Sequence, residues 1–312
     1  MTPVLPQKRA LHRTLVISTL SAFVLLGALG LGACGGGDDE SGGASTSASS
    51  AAPPDTTAPA TTTTISVEPL RILVSNDDGY AAEGIDVLVA ALLELPDVEV
   101  TVVAPLENKS GTGGSTTPGT LTATEQQTAG GYPVTAVDGF PADSVNYGLD
   151  SVLADAPPHL VVAGSNFGQN LGVLTDVSGT VGAARAAGSR GIPALAVSQG
   201  LADAPDYPAS VAAAVAWIVE HRAEILAFDP TSGDAAEVWN LNAPTCAVGE
   251  PRGVLEIDAA TEQTGKEIVQ DIDCTVTTDG TGGGTADIAN DVEAFALGYI
   301  TLSEVGTEPA AA

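Results

Sequence analysis

Two adjacent carboxylates, Asp77 and Asp78, stand two residues beyond a short β-rich run and directly before Gly79. Neighbouring carboxylates repel each other, and one of them is pushed toward protonation unless a cation lies between them. Taken alone, an Asp-Asp-Gly sequence is more typical of a turn or of a helix N-cap. Its position at a strand end, with other oxygen donors at neighbouring strand ends, favours a metal site.

Oxygen-bearing side chains also follow two further predicted strands. An Asn-Lys-Ser sequence at 108–110 lies just beyond the second strand, and Asn166 closes the third. Because ligands of open α/β sheets bind beyond the carboxyl ends of the strands, we expect these side chains to lie beside the two aspartates. Hard oxygen ligands suit Mg²⁺ or Mn²⁺, and Ca²⁺ shares that preference. A zinc site is disfavoured, because the chain has three His and no CxxC or HxxxH spacing.

A second candidate feature is the turn Ser178-Gly179-Thr180, which precedes a predicted helix of small residues. Free backbone N–H groups at a helix N-terminus, with two hydroxyls and a glycine for close approach, can bind an anion. By itself the turn is better explained as an ordinary N-cap. The Gly-flanked stretch 168–172 either lines the same pocket or is a plain connecting loop.

The elements that must position these residues alternate along the chain from residue 68. Continuous apolar strands separated by helical stretches predict an α/β fold with a mostly parallel sheet covered on both faces. The predicted strands cover 70–74, 98–103, 159–163, 192–198 and 237–242, and the clearest helices cover 84–95 and 210–228.

The N-terminal segment is predicted to be a targeting signal rather than part of the folded domain. Its first 13 residues hold three basic and no acidic side chains, and 15–31 is almost wholly apolar before a Leu-Gly-Ala-Cys ending. These features predict a secretory signal, and the ending resembles a bacterial lipobox with Cys34 as the lipidated residue. We therefore expect a lipoprotein signal peptide over 1–33 and export to the outer side of the cell membrane. An ordinary signal peptide or an uncleaved anchor are the alternatives, although the stretch is short against the roughly 20 apolar residues of a spanning helix.

Residues 34–67 are predicted to form a disordered tether rich in Gly, Ser, Thr and Pro, since they offer almost nothing to bury. The folded domain is then expected over 68–305. An exported domain can form disulfides, so Cys246 and Cys274 either form a bridge or simply lie apart.

The charge balance limits the partners. The chain holds 39 acidic and 10 basic residues, for a net charge of −29, and three of the basic residues belong to the leader. Nucleic acid would be repelled at long range, so we expect no nucleic-acid partner. A wholly disordered chain is also excluded, because 44% of the residues are hydrophobic.

Several blocks, in order and at compatible spacings, resemble the SurE family of stationary-phase survival nucleotidases. The resemblance spans roughly residues 70–302 and rests on the blocks 75–79 with 84–85, 103–105 with 108–111, 141–145, 164–172, 178–181, 191–198, 240–242, and Asp291 with 298–299.

The resemblance implies a Rossmann-like sheet with a C-terminal β-rich arm over 250–290 that exchanges between the subunits of a homodimer. It also implies a metal-dependent phosphomonoesterase, a 5′-nucleotidase or broad acid phosphatase, acting on nucleoside 5′- and 3′-monophosphates. The metal ligands would be Asp77, Asp78, Ser110 and Asn166. The phosphate would contact Asn170, Ser178, Gly179 and Thr180, and the catalytic residues would be Asp77, Asp78 and Asn170.

Three departures from the family pattern keep an alternative open. Ala81 and Ala296 stand where the family often has His, and Ala186 stands where it often has Glu, beside an unusual Arg185. A non-catalytic envelope lipoprotein that binds nucleotide and metal would fit the loss of a proton donor at residue 296. A haloacid-dehalogenase-type phosphatase fits less well, because that class needs an Asp-x-Asp arrangement.

Overall fold

The computed structural model describes residues 68–229, 236–276 and 288–308. The predicted signal peptide 1–33, the lipidation site Cys34 and the predicted tether 34–67 lie outside these residues. No helix in the described part of the chain is long and apolar enough to cross a membrane.

Eleven strands and five α-helices make up the regular structure of the described residues. The strands are β1 (Leu70–Ser75), β2 (Val98–Pro105), β3 (Ala123–Gln127), β4 (Pro133–Val137), β5 (Leu160–Phe167), β6 (Ala194–Gln199), β7 (Val238–Ala243), β8 (Cys246–Val248), β9 (Val254–Glu256), β10 (Ile272–Asp273) and β11 (Ile300–Val305). The helices are α1 (Glu83–Leu93), α2 (Pro141–Tyr147), α3 (Gly179–Gly188), α4 (Tyr207–Ala227) and α5 (Asp291–Ala296).

Nine strands form one sheet in the order β3-β4-β2-β1-β5-β6-β7-β11-β9. The six consecutive strands from β4 to β7 are parallel. Strand β3 is antiparallel to β4, and β11 is antiparallel to β7; β9 is parallel to β11 and so also runs opposite to the six central strands. The prediction of a mostly parallel, Rossmann-like α/β sheet is confirmed.

Both faces of the sheet are covered, which explains why its central strands read as continuous apolar runs. Along β1, Ile72 and Val74 belong to a core that includes Ile85 and Leu88 of α1. The intervening Leu73 points the other way, into a second core with α3. This alternation is the period of two that a strand imposes on its side chains.

The edges of the sheet are where sequence-based prediction is incomplete. The edge strand β3 reads Ala-Thr-Glu-Gln-Gln and is largely exposed, so it carries no apolar run to signal it. The predicted strand 192–198 begins at Ala194 instead, because Pro193 has no N–H to donate to a ladder. Helix α1 ends at Leu93, two residues before the predicted end.

The predicted C-terminal arm is partly described, since residues 277–287 lie outside the described ranges. Within it, β9 joins the edge of the main sheet, and β10 pairs with β8 in a separate two-stranded ladder. Cys246 and Cys274 form a disulfide beside that ladder, with their Cα atoms 5.7 Å apart. The covalent link therefore closes the segment 246–274 on itself.

Candidate active site

Strand β1 delivers Asp77 and Asp78 to the carboxyl edge of the sheet. Asp77 is only 3% exposed, and Asp78 is partly buried. Burial raises the pKa of Asp77 to about 6; the neighbouring Asp78 carboxylate adds to the rise, and a hydrogen bond from Thr180 opposes it. Burial also raises the pKa of Asp78. The pair is thus held at a place where its charge is poorly solvated.

The loop after β2 folds over this pair. The backbone N–H of Lys109 donates to the carbonyl of Asp77 at 2.7 Å. The Asn108 amide donates to Asp78 Oδ1 at 3.1 Å and accepts the backbone N–H of Ser110 at 2.9 Å. The Ser110 side chain lies close enough to Asp78 to lower the pKa of that carboxyl, against the rise caused by burial. Ser110 therefore lies beside Asp78, as the sequence predicts.

The end of β5 supplies the next oxygen. The backbone N–H of Phe167 donates to Asp78 Oδ2 at 2.8 Å. Asn166, 5% exposed, donates its Nδ2 to the carbonyl of Gly168 at 2.6 Å, while its Oδ1 is buried without a hydrogen-bond partner. A buried carbonyl oxygen without a donor is costly, and a bound cation would satisfy it.

The four predicted metal ligands thus fit a hard divalent cation. They comprise two partly or fully buried carboxylates, one hydroxyl and one orphaned amide oxygen, which is an all-oxygen donor set. Among residues 68–229, 236–276 and 288–308, no group of three or more His, Cys, Asp or Glu could hold a metal. The candidate centre consequently depends on Ser110 and Asn166 as well as on the two aspartates.

The N-terminus of α3 faces the same carboxylates. Ser178 caps the helix, its Oγ accepting the backbone N–H of Val181 at 3.1 Å. Thr180 Oγ1 donates to Asp77 Oδ1 at 2.7 Å. The predicted phosphate turn therefore lies beside the aspartates, and in this structure the Thr180 hydroxyl donates its hydrogen bond to Asp77. Of the first backbone N–H groups of α3, that of Val181 is bonded to Ser178 and that of Thr180 interacts with Asp77, while the helix N-terminus as a whole still favours an anion.

Asn170 lies in the Asn170 loop, residues 168–171, which joins β5 to the 3₁₀ turn Gly172–Asp176. Its Nδ2 donates to Ser198 Oγ at 2.9 Å and lies 3.5 Å from Thr180 Oγ1. The backbone N–H of Gly172 donates to the buried Asp291 carboxylate at 2.8 Å. The loop is thus a built part of the site rather than a plain connection.

Sequence reasoning gave no role to several supporting residues, although they lie in blocks that carry the family resemblance. Ser198 binds the Asn170 side chain, and Asn240 and Asn242 bind its main chain. A usable signal was present, because two asparagines spaced by two on a predicted strand share one face. Polar side chains repeated on one face of an otherwise apolar strand indicate that this face makes buried hydrogen bonds.

The three departures from the family pattern occupy different places. Ala81 is exposed in the turn after β1, Ala186 is partly buried in α3, and Ala296 is exposed at the end of α5. The neighbouring Arg185 is 8% exposed and donates from Nη1 to the carbonyl of Thr175 at 3.0 Å. Arg185 therefore braces the 3₁₀ turn that leads to Ser178.

Gly179 is where the α3 turn comes closest to Asp77. A Cβ at this position would lie 2.8 Å from both Asp77 Cβ and Asp77 Oδ2. Gly179→Ala should therefore displace either the carboxylate or the helix terminus and lower phosphate-ester turnover by about 10²-fold, the cost of a shift of about 1 Å. Steady-state kinetics checks this. Gly114→Ala is the matched control, because its Cβ would enter open space; equal activity of the two variants would contradict the prediction.

Comparison with known proteins adds independent information. The family model described as "Survival protein SurE" matches residues 72–268. The 5′-nucleotidase SurE of Pseudoalteromonas atlantica is 37% identical over 204 residues, which are 65% of this chain and 77% of that protein. The 5′-nucleotidase SurE of Methanopyrus kandleri is 44% identical over 135 residues, 43% of this chain and 51% of that protein. The crystal structure of the SurE protein from Aquifex aeolicus is similar with a TM-score of 0.59 and 26% identity, covering 76% of this chain and 94% of that one.

Proposed function

The chain belongs to the SurE family, and we propose that it is a divalent-metal-dependent phosphomonoesterase that hydrolyses nucleoside 5′- and 3′-monophosphates. The observation that most supports this is the direct bond between the two halves of the site. Thr180 at the N-terminus of α3 donates to Asp77 Oδ1 at 2.7 Å. A place for a phosphate and a place for a cation therefore adjoin each other.

Four residues would hold the cation: Asp77, Asp78, Ser110 and Asn166. When bound, a divalent cation offsets the charge of the carboxylates, polarises a phosphoryl oxygen and lowers the pKa of a bound water. The protein's own groups bind and orient the phosphate. The N-terminus of α3 attracts the phosphate oxygens, and the Asn170 amide donates to the same group in place of its long contact with Thr180. Such positioning and charge stabilisation account for most of the catalysis of phosphoryl transfer.

An acidic protein can act on an anion in this way. The chain carries a net charge of −29, which disfavours large polyanions such as nucleic acid. A nucleoside monophosphate is small enough to reach a cation that the acidic residues themselves hold. The choice among Mg²⁺, Mn²⁺ and Ca²⁺ is part of the proposal, with Mg²⁺ or Mn²⁺ preferred for a phosphoryl-transfer site.

A phosphate-release screen tests the proposal. The purified protein would be incubated with 5′- and 3′-nucleoside monophosphates, with each of the three cations or with EDTA. We expect release of inorganic phosphate that depends on added cation and that EDTA abolishes. Binding of nucleotide without release under every condition would instead support the non-catalytic alternative, which the replacement of a family His by Ala296 favours.

We also propose export, anchoring through a lipid on Cys34, and a homodimer. The basic head, the apolar stretch 15–31 and the Leu-Gly-Ala-Cys ending support the anchor. The Cys246–Cys274 disulfide agrees with an exported domain, because such bonds persist in oxidising compartments. Cell fractionation tests the location, and light scattering tests the oligomeric state; cytosolic protein or a pure monomer would count against these proposals.

A further inference from the structure

We propose that Asn240 and Asn242 of β7 are positioning residues of the reaction, which hold the main chain of Asn170 so that its side-chain amide meets the phosphate. The inference rests on the proposed phosphomonoesterase function. It assigns a task to two buried polar side chains that touch neither the predicted metal ligands nor the α3 turn in any described hydrogen bond.

The contacts cover both polar groups of the Asn170 main chain. Its N–H donates to Asn242 Oδ1 at 2.7 Å. Its carbonyl accepts Asn240 Nδ2 at 2.8 Å and Asn242 Nδ2 at 3.3 Å. Both β7 asparagines are 0% exposed, and Asn170 is 9% exposed. Two side chains thus satisfy the backbone N–H and C=O of this loop residue, as neighbouring strands satisfy those groups within a sheet.

The main chain needs such partners because of where the loop runs. The Asn170 loop leaves the sheet at the end of β5 and has no ladder of its own at residue 170. A buried backbone N–H or C=O without a partner costs about 1–3 kcal/mol. Side chains from a strand two places away in the sheet supply the missing donor and acceptor, and they thereby fix where Asn170 lies.

The register of the sheet places the residues that bind the Asn170 side chain and main chain next to each other. Asn242 is paired in register with Ser198 of β6, and Asn240 is paired with Ala196. Ser198 Oγ accepts the Asn170 side-chain amide at 2.9 Å. One pair of neighbouring residues therefore holds the side chain and the main chain of the same residue. Ser198 takes one Nδ2 hydrogen, and the other makes a long hydrogen bond of 3.5 Å to Thr180 Oγ1. A phosphate oxygen at the α3 turn would replace Thr180 as the acceptor of that second hydrogen.

Packing alone does not account for asparagine at these positions. Asn240 Oδ1 is buried without a hydrogen-bond partner, so the strand bears the desolvation cost of that oxygen. Apolar side chains would fill the same space without leaving a polar atom unpaired. Local violations of this kind are typical of functional sites. In return for this cost, Asn240 fixes the position of Asn170.

The test is a double-mutant cycle on activity. Asn242→Ala should lower kcat/KM for AMP about 10–100-fold. Loss of a residue that orients a ligand-binding side chain through a hydrogen bond has an effect of this size. If it acts through the Asn170 side chain, the double variant Asn170→Ala, Asn242→Ala should be no less active than Asn170→Ala alone. Multiplicative effects, or an Asn242→Ala variant with wild-type kcat/KM, would overturn the inference.

A matched control separates positioning from loss of stability. Ser303 lies opposite Asn240 on β11, is 1% exposed, and donates to the carbonyl of Ile257 at 2.7 Å. Ser303→Ala removes a buried hydrogen bond without touching Asn170, so it should lower Tm comparably yet keep kcat/KM within about twofold. A fall in kcat/KM equal to that of Asn242→Ala would reduce the role of Asn242 to stability and overturn the inference.

Asn240→Ala is the second variant if Asn242→Ala does not fold. The Asn170 carbonyl then keeps the 3.3 Å contact with Asn242, so the expected loss in kcat/KM is smaller, about tenfold. No loss in this folded variant would also count against the inference. A wild-type protein that releases no phosphate from AMP with any cation would instead refute the proposed function, which is a distinct outcome.

Discussion

Replacing Asp77 with Asn is expected to lower metal-dependent release of phosphate from AMP by about 10³-fold or more. The substitution keeps the shape of the side chain and removes one of the two charges that would hold the cation. Lewis-acid stabilisation by a bound metal contributes several kcal/mol to the transition state, and each 1.36 kcal/mol corresponds to a factor of ten in rate. Phosphate release measured at saturating Mn²⁺ checks the prediction, and wild-type activity in the variant would refute the assignment of the metal site.

Thermal unfolding distinguishes this loss from misfolding. Asp77 is buried, and burial raises the pKa of its carboxyl because the charged form is poorly solvated there. The Asn variant should therefore be at least as stable as the metal-free wild-type protein. Added Mn²⁺ should raise the Tm of the wild type and not that of the variant, because a ligand stabilises only the state that binds it. Asp150→Asn is the control, since that exposed carboxylate pairs with Arg190; it should keep both activity and the response to metal.

The location of this centre could be predicted from the sequence because it depends on local order. A strand that ends in two carboxylates must place them at the carboxyl edge of a parallel sheet, and the strands before Ser110 and Asn166 end at the same edge. The C-terminal boundaries of the strands were predicted less well, since β2 and β5 run two to four residues past their predicted ends. The extra residues of β5 include Asn166 of the site, whereas those of β2 are Ala104 and Pro105, which lead into the loop that carries Ser110.

The partners of the site residues could not be predicted in the same way. Thr180 meets Asp77 across 103 positions, and Asn242 meets Asn170 across 72. Such pairs depend on strand order, which hydrophobic periodicity does not encode. The sequence therefore predicts Thr180 as a phosphate ligand, whereas in the folded chain its hydroxyl donates to Asp77. Strand order brings β6 and β7 behind the Asn170 loop and so creates the polar support that composition does not reveal.

The C-terminal arm shows a related limit. Its strands β9 and β10, and the strand β8 with which β10 pairs, have two or three residues each, too few to produce a period of two that can be recognised. Its order depends on long-range links instead. Gln169 Nε2 donates to the carbonyls of Val269 at 2.9 Å and Glu267 at 3.3 Å. The arm of the same chain is therefore attached to the residue next to Asn170.

Replacing both Cys246 and Cys274 with Ser is expected to give the largest loss of stability available from the arm. The bond closes a segment with a sequence separation of 28, and loop-closure entropy for that length corresponds to roughly 3–4 kcal/mol. The β8–β10 ladder joins only two residue pairs, so it cannot hold the segment by itself. For a domain of this size, that loss corresponds to a fall in Tm of roughly 10 °C.

Activity should respond to the same double variant much less than to Asp77→Asn. Loss of the arm would remove the partners of Gln169 Nε2, but Gln169 Oε1 would keep the Leu201 N–H, and the Asn170 main chain would still be held by β7. We therefore expect kcat/KM for AMP to fall only a few-fold at a temperature well below the lowered Tm. A reducing agent should lower the Tm of the wild type toward that of the variant and leave the variant unchanged. A variant that unfolds within about 2 °C of the oxidised wild type would show that packing and hydrogen bonds, rather than the disulfide, keep the arm on the site.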